Sequence, residues 1–382
     1  MNYLSVCSGI EAASVAWHGL GWSPVAFSEI EAFPSAVLKH RFPDTPNWGD
    51  MTKYEKWPDA PIDLICGGTP CQSFSVAGLR KGLDDERGSL MLTFGHILAK
   101  YRPRWFVWEN VPGVLSSNAG RDFASFLGLV TGQAIEPPAD GWRNSGAISG
   151  IESAYDIAYR VLDAQYTRSP NYPRAVPQRR RRVFVVGHLG DWRRAAAVLL
   201  DSEGVSRNPP PSRRARERTP ADAESGVGVG SHWDGMNAHP TLTQALLTVY
   251  ENHPQDSRIN GPLDVNPTVD ARYGTGGGNV PLVVQSSWWD GGQVASSIAT
   301  RSHDQNMPDK DNFGAVIHKT AVRRLLPVEC ERLQGFPDGW TDIPYRGKPN
   351  SPDGQRYKAI GNSMATNVMG WIGRRIQMVD EI

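Results

Sequence analysis

The segment Tyr3-Leu4-Ser5-Val6-Cys7-Ser8-Gly9-Ile10-Glu11-Ala12-Ala13-Ser14-Val15-Ala16-Trp17 decides the fold. Residues 3–7 are a short apolar run that breaks at Ser8-Gly9, and Glu11 to Trp17 has a helical pattern, so the chain opens as strand, tight turn and helix. Working outward, Val25-Ala26-Phe27-Ser28 reads as a second strand ending at Glu29, and Ala32 to His40 as a second helix. Ile62 to Cys66 is a third strand, closed by Gly67-Gly68. Ser89 to Lys100 is a helix, and Trp105-Phe106-Val107-Trp108 is a fourth strand ending in Glu109-Asn110. A helix is predicted from Val114 to about Val130, a surface loop from Thr131 to Gly150, a helix from Ser153 to Ala164 and a strand at 182–187. This alternation predicts an α/β fold with a doubly wound, mostly parallel sheet.

From about Asp201 to Thr320 the composition changes. Gly, Pro, Asn, Ser and Thr dominate, Pro209-Pro210-Pro211 is a stiff linker, and helical periodicity fades. Ser231-His232-Trp233-Asp234-Gly235 is echoed by Ser287-Trp288-Trp289-Asp290-Gly291, with Asn266 to Arg272 as a partial third copy, suggesting hairpin-like units. Periodicity returns after Arg323, with a short helix at Pro327 to Leu333 and a long one from Met364 to Met378. The predicted division is a first domain over 1–188, a smaller loop- and β-rich domain over 189–320, and a return segment, 321–382, that completes the first.

With 382 residues, 40% apolar and 21% charged, the chain can bury a sizeable core, and no apolar run of membrane-spanning length occurs. The N-terminus carries no secretion signal, so a cytoplasmic location is expected. Cys7, Cys66, Cys71 and Cys330 have neither zinc-finger nor disulfide-framework spacing, and no metal site is expected. Net charge is zero, yet Arg174 to Arg218 holds twelve arginines and no lysine against four acids, a local net of +8. One segment of a neutral chain is therefore strongly cationic.

A strand-turn-helix opening followed by an acid at the end of the next strand suits an adenosine moiety, with Glu29 accepting from ribose hydroxyls. Glu11, standing where a pyrophosphate would lie, points to a ligand without phosphates, such as S-adenosylmethionine. Asp50, after Gly49, is a candidate partner for an adenine amino group. Gly67-Gly68-Thr69-Pro70-Cys71-Gln72-Ser73-Phe74-Ser75 sets a cysteine at the carboxyl end of a parallel strand, where such folds keep reactive groups. A lone cysteine is commonly a buried structural one, but Gly and Pro before it and polar residues after it favour an exposed nucleophile. Glu109 ends the adjacent strand, so a thiol and a carboxylic acid can meet above the sheet.

Together these motifs mark a resemblance to the DNA cytosine-5 methyltransferases of bacteria and phages. It is carried in order by Pro70-Cys71-Gln72, Glu109-Asn110-Val111, Gln178-Arg179-Arg180-Arg181-Arg182, Arg324-Leu325-Leu326-Pro327-Val328-Glu329-Cys330 with Gly335-Phe336-Pro337, and Gly361-Asn362-Ser363. The resemblance implies that Cys71 attacks C6 of a flipped-out cytosine, that Glu109 holds and protonates N3, and that Arg180 and Arg182 steady the base at O2 and neutralise Glu109 or the surroundings of the thiol. It implies S-adenosylmethionine at Ser8, Gly9, Ile10, Glu29, Ile30, Asp50, Pro70, Leu90, Asn362 and Ser363. DNA contacts are implied for Gln72, Ser75, Arg179 and Arg181, a closing loop for Val76 to Gly88, and target recognition for 189–320. The chain departs from the family at Ser5-Val6-Cys7, where Asp-Leu-Phe is usual, and at Glu11-Ala12, where Gly-Gly is usual, losing the aromatic partner of adenine. Double-stranded DNA is the implied partner and a monomer the expected state. A cognate restriction endonuclease acting separately and a solitary phage enzyme are both open, as are an RNA substrate and a catalytically inactive DNA-binding homologue. An NAD-linked Rossmann oxidoreductase is disfavoured by Glu11 and the Pro-Cys-Gln loop.

Overall fold

The computed structural model describes residues 1–70, 89–170, 173, 175–201, 205, 247–252, 259–263, 265–269, 281–286 and 320–382. Strands β1 (Asn2–Val6), β2 (Ser23–Ser28), β3 (Leu64–Gly68), β4 (Trp105–Asn110), β5 (Ser145–Ile148), β6 (Tyr155–Asp163) and β7 (Arg181–Leu189) form one sheet in the order β2-β1-β3-β4-β7-β6-β5. The β2-β1, β1-β3 and β3-β4 pairs are parallel, and β7 and β5 run against the rest. This is the mostly parallel α/β sheet predicted from the alternation of elements.

Side chains alternate between two apolar layers, as a sheet covered on both faces requires. On one face Tyr3, Leu64, Cys66, Trp105, Val107, Phe184 and Val186 pack under helices α1 (Ala12–Trp17) and α2 (Ala32–Arg41). On the other, Leu4, Val6, Ile65, Phe106, Trp108, Val183 and Val185 pack under α3 (Ser89–Tyr101) and α4 (Arg121–Thr131). Helix α5 (Trp192–Leu199) buries Ala195, Val198 and Leu199 in the first of these layers.

The chain's last segment belongs to the same layer. Helices α6 (Pro327–Gln334), α7 (Asp353–Asn362) and α8 (Thr366–Asp380) follow β11 (Thr320–Arg324). Helix α8 lies so close to α1 that a Cβ on Gly373 would clash with the indole of Trp17, whose Nε1 donates to Met369 O at 2.8 Å. Trp340 Nε1 donates to Ile10 O at 2.8 Å, tying the turn after β1 to the same segment. Strand β11 joins a second, antiparallel sheet in the order β11-β10-β8-β9, with β8 (Leu247–Asn252), β9 (Ile259–Leu263) and β10 (Leu282–Ser286). The Trp-Asp-Gly echoes at 231–235 and 287–291 lie outside the described residues.

Three element predictions are corrected. The segment predicted as a helix from Ser153 to Ala164 holds strand β6 instead, because pairing with β5 and β7 buries both its faces: Tyr155, Ile157 and Tyr159 in one layer, Ala158 and Leu162 in the other. The helix predicted from Val114 begins only at Arg121, after two 3-10 turns and three left-handed residues, Asn118, Ala119 and Gly120. The loop predicted over 131–150 includes the edge strand β5. No described helix is long and apolar enough to cross a membrane.

Candidate active site

The carboxyl ends of β2, β1, β3 and β4 stand side by side, and the candidate residues gather there in two neighbouring groups. At β1 and β2, Gly9 adopts φ +58° with no atom within 4 Å of where a Cβ would stand, leaving open space against the backbone. Ser8 is buried and braces the turn: its Oγ donates to Ser5 O at 2.9 Å and accepts from Ser28 N at 3.1 Å. Glu29 is held by three N–H groups, from Gly9 (2.8 Å) to Oε2 and from Ile30 (2.8 Å) and Glu31 (2.7 Å) to Oε1. Partial burial nonetheless pushes its carboxyl above the ordinary range. Ile10 is fully buried, whereas Ile30 is 74% exposed at the rim.

Asp50 Oδ1 caps the following turn through Thr52 N (2.9 Å) and Thr52 Oγ1 (2.8 Å). Cys7, where an aromatic side chain would be usual, sits beside Met51 with its sulfur 3.3 Å from Met51 Sδ. Burial first, then the neighbouring Glu29 and Asp50 carboxylates, push its thiol up to about 12, so it is no nucleophile. The site thus offers two acids and soft sulfurs, which suits an uncharged or cationic adenosyl group and repels phosphates. Lys358 Nζ on α7 donates to Glu31 Oε2 at 2.7 Å, and Asn362, one turn later on the same face, is exposed; Ser363 is buried. Pro70 is exposed and Leu90 half-buried at the start of α3.

Glu11 lies elsewhere than its sequence position suggested. Its backbone is left-handed (φ +65°), and its side chain is fully buried beneath the turn, where Oε1 accepts from Ser14 N and Ser14 Oγ, both at 3.1 Å, to cap α1. Oε2 is buried with no hydrogen-bond partner among the described residues. Desolvation raises its carboxyl from 4.5 to about 7, so the folded chain keeps a proton there that the unfolded chain releases. Stability from this group is therefore lost as pH rises from about 4.5 through 7. Glu11→Gln is expected to preserve the cap and flatten this dependence, leaving the variant more stable at pH 8 by on the order of 3 kcal/mol. Thermal melts of both proteins at pH 5 and pH 8 check it; equal pH dependence would contradict it.

At β3 and β4, Gly68 pairs in register with Glu109. A Cβ at Gly68 would lie 2.8 Å from Glu109 Oε2, so a side chain there would make the carboxyl shift from its place over β3. Arg182, near the start of β7, reaches across with Nε 3.2 Å from Glu109 Oε1, and its Nη1 donates to Arg181 O at 2.8 Å. Both side chains are mostly shielded, 12% exposed for Glu109 and 17% for Arg182. Thr69 is buried and gripped from β4: Asn110 Nδ2 donates to Thr69 O (3.1 Å) and Trp108 Nε1 to Thr69 Oγ1 (3.2 Å). Thr69 and Pro70 lead directly into Cys71. Gly68, Thr69, Trp108 and Asn110 were not singled out from sequence as site residues, although Asn110 follows Glu109 and could have been found as a strand-end amide. Gly68→Ala is expected to push the carboxyl off Arg182 and cost about 100-fold in turnover, as ångström-scale misplacement does; unchanged kcat in a folded variant would contradict it.

Of the predicted arginines, Arg182 meets Glu109 and Arg180 does not. Arg180 is buried, and its guanidinium donates to Val269 O (3.3 Å), Gly361 O (3.1 Å) and Ser363 O (2.6 Å). The side chains of Arg179 and Arg181 are exposed. Cys71, Gln72, Ser75 and the 76–88 segment lie outside the described residues, as does most of 189–320. Among the described residues no cluster could hold a metal ion.

This architecture recurs in the crystal structure of the S. pombe Dnmt2 methyltransferase, which aligns over 100% of this chain and 99% of its own at a TM-score of 0.56 and 17% identity. Among curated sequences, the chain is 36% identical over 98% of its length to a DNA N-6-adenine-methyltransferase of Escherichia phage P1, spanning 61% of that protein. It is 25% identical to the type II methyltransferase M.HpaII of Haemophilus parainfluenzae, over 98% of this chain and 88% of the relative. The family model for C-5 cytosine-specific DNA methylases matches residues 1–130 and 150–378. The chain belongs to that family.

Proposed function

We propose that the protein transfers a methyl group from S-adenosylmethionine to C5 of a flipped-out cytosine in a specific sequence of double-stranded DNA, through a covalent bond between Cys71 and C6. The observation that carries this reading is the Glu109–Arg182 pair standing over Gly68, on the strand end that leads into Cys71.

S-adenosylmethionine, when bound, supplies a methyl group on a sulfonium; Gly9, Glu29, Ile30 and Asp50, with Asn362 and Ser363, would hold its adenosyl and methionyl parts. The other steps belong to the chain. Cys71 adds as thiolate to C6 while the acid Glu109 gives its proton to N3, which converts the ring into a nucleophile at C5. Arg182 holds Glu109 in place and offers a cation near O2. After methylation a base removes the C5 proton, the C6–S bond breaks, N3 returns its proton, and Cys71 leaves as thiolate. A base inside a duplex cannot reach between β3 and β4, so flipping is required. Gln72 and Ser75 would fill the gap, and Arg179 and Arg181 would contact phosphates.

The segment 189–320 would serve as the target-recognition domain between the two parts of the catalytic one, 1–188 and 321–382. The enzyme would act as a monomer in the cytoplasm, with or without a separate restriction endonuclease. The phage P1 relative is named for adenine, but this chain spans only 61% of it, and the remainder is free to carry another activity. Base-resolution conversion sequencing of DNA from a methylation-free host tests the proposal. Cytosines protected in one short motif are expected; N6-methyladenine without any protected cytosine would overturn it.

A further inference from the structure

Arg180 joins three segments that sequence keeps far apart. Its three carbonyl acceptors belong to residue 269 in the recognition region and to residues 361 and 363 in the proposed cofactor loop. Its backbone is equally fixed, with N–H donating to Asp163 Oδ1 (2.9 Å) and carbonyl accepting from Ala164 N (3.1 Å). The recognition segment is laced to the same stretch. Arg179 N donates to Asn266 O (2.9 Å), Asn266 N to Pro177 O (3.2 Å) and Thr268 Oγ1 to Arg179 O (2.6 Å). In the amide orientation that satisfies both its ends, buried Gln178 accepts from Val269 N (2.7 Å) and donates to Leu333 O (3.2 Å). Two residues beyond Arg180, the chain delivers Arg182 to Glu109.

From this we infer that Arg180 is a positioning residue that couples the cofactor loop and recognition segment 265–269 to the Glu109–Arg182 pair, rather than a contact to the target base. The inference rests on the methyltransferase reading. A guanidinium has a planar fork of donors that can serve three carbonyls in fixed directions; an ammonium is a compact point charge that cannot hold all three. Loss of the fork should loosen Gly361–Ser363 before it touches the chemistry at Glu109.

The test is Arg180→Lys in the full chain, with kinetics at varied S-adenosylmethionine and calorimetric binding of S-adenosylhomocysteine without DNA. The expected result is a weakening of cofactor KM and Kd by about tenfold or more, with kcat at saturating cofactor falling far less. A fall in kcat of about 100-fold with KM and Kd unchanged would overturn the inference, since that is the signature of a group acting only on the reacting base. Should the variant fail to fold, hydrogen exchange on the wild-type chain decides. Cofactor without DNA is expected to slow exchange at 178–182 and 265–269; protection confined to the ends of β1 and β2 would overturn the coupling. A wild-type chain that binds no S-adenosylhomocysteine would overturn the methyltransferase reading itself.

Discussion

Cys71→Ser is expected to lower methyl transfer by about 10⁴-fold or more while DNA and cofactor binding persist. A thiol titrates near 8.5 and is readily ionised beside cations, whereas a serine hydroxyl stays protonated at neutral pH and adds poorly to a pyrimidine C6. In the proposed mechanism the Arg182 guanidinium beside Glu109 is the cation that would favour the thiolate. The substitution removes one sulfur and leaves the grip of Asn110 and Trp108 on Thr69 in place, so the fold is expected to be kept. Turnover within about tenfold of wild type would sink the nucleophile assignment.

Glu109→Gln is expected to cost about 10²- to 10⁴-fold in kcat, the range of a lost general acid. The amide keeps the shape that fits over Gly68 but cannot deliver a proton to N3. It also leaves Arg182, only 17% exposed, without its carboxylate. Part of the loss is therefore electrostatic, and Arg182→Met on its own should reproduce a share of it. The two changes are expected to be strongly non-additive in kcat, because either one dissolves the same pair. Additive effects in the double variant, or a Glu109→Gln enzyme with near-normal kcat, would contradict the roles given to the pair.

Much of the fold was legible because the parallel strands announce themselves locally: β1, β2, β3 and β4 are short apolar runs that end in or run on to Gly9, Glu29, Gly68 and Asn110 at the edge where the site forms. Strand β6 was misread because its apolar residues occur on both faces, which hides the period-two pattern that a half-exposed strand would display. Helix α4 starts late because Asn118, Ala119 and Gly120 turn left-handed, which propensity alone does not reveal. At the site, Glu109 and the glycine turn could be read from their strand-end positions. Arg180 and Arg182 could not be told apart, since both have the same parity at the start of one strand and only tertiary neighbours separate them. Glu11 was misplaced for a related reason: a left-handed residue after the turn sends its side chain inward to cap α1.

The most direct test of the central claim is trapping with a duplex carrying 5-fluorocytosine at the target position. Fluorine cannot leave C5 as a cation, so the last elimination is blocked and the Cys71–C6 bond should survive denaturation. With S-adenosylmethionine present, the expected result is a stoichiometric protein–DNA adduct whose peptide map places the link at Cys71, absent from Cys71→Ser and strongly reduced in Glu109→Gln. A wild-type chain that methylates ordinary cytosine in that duplex yet forms no adduct would contradict the covalent mechanism.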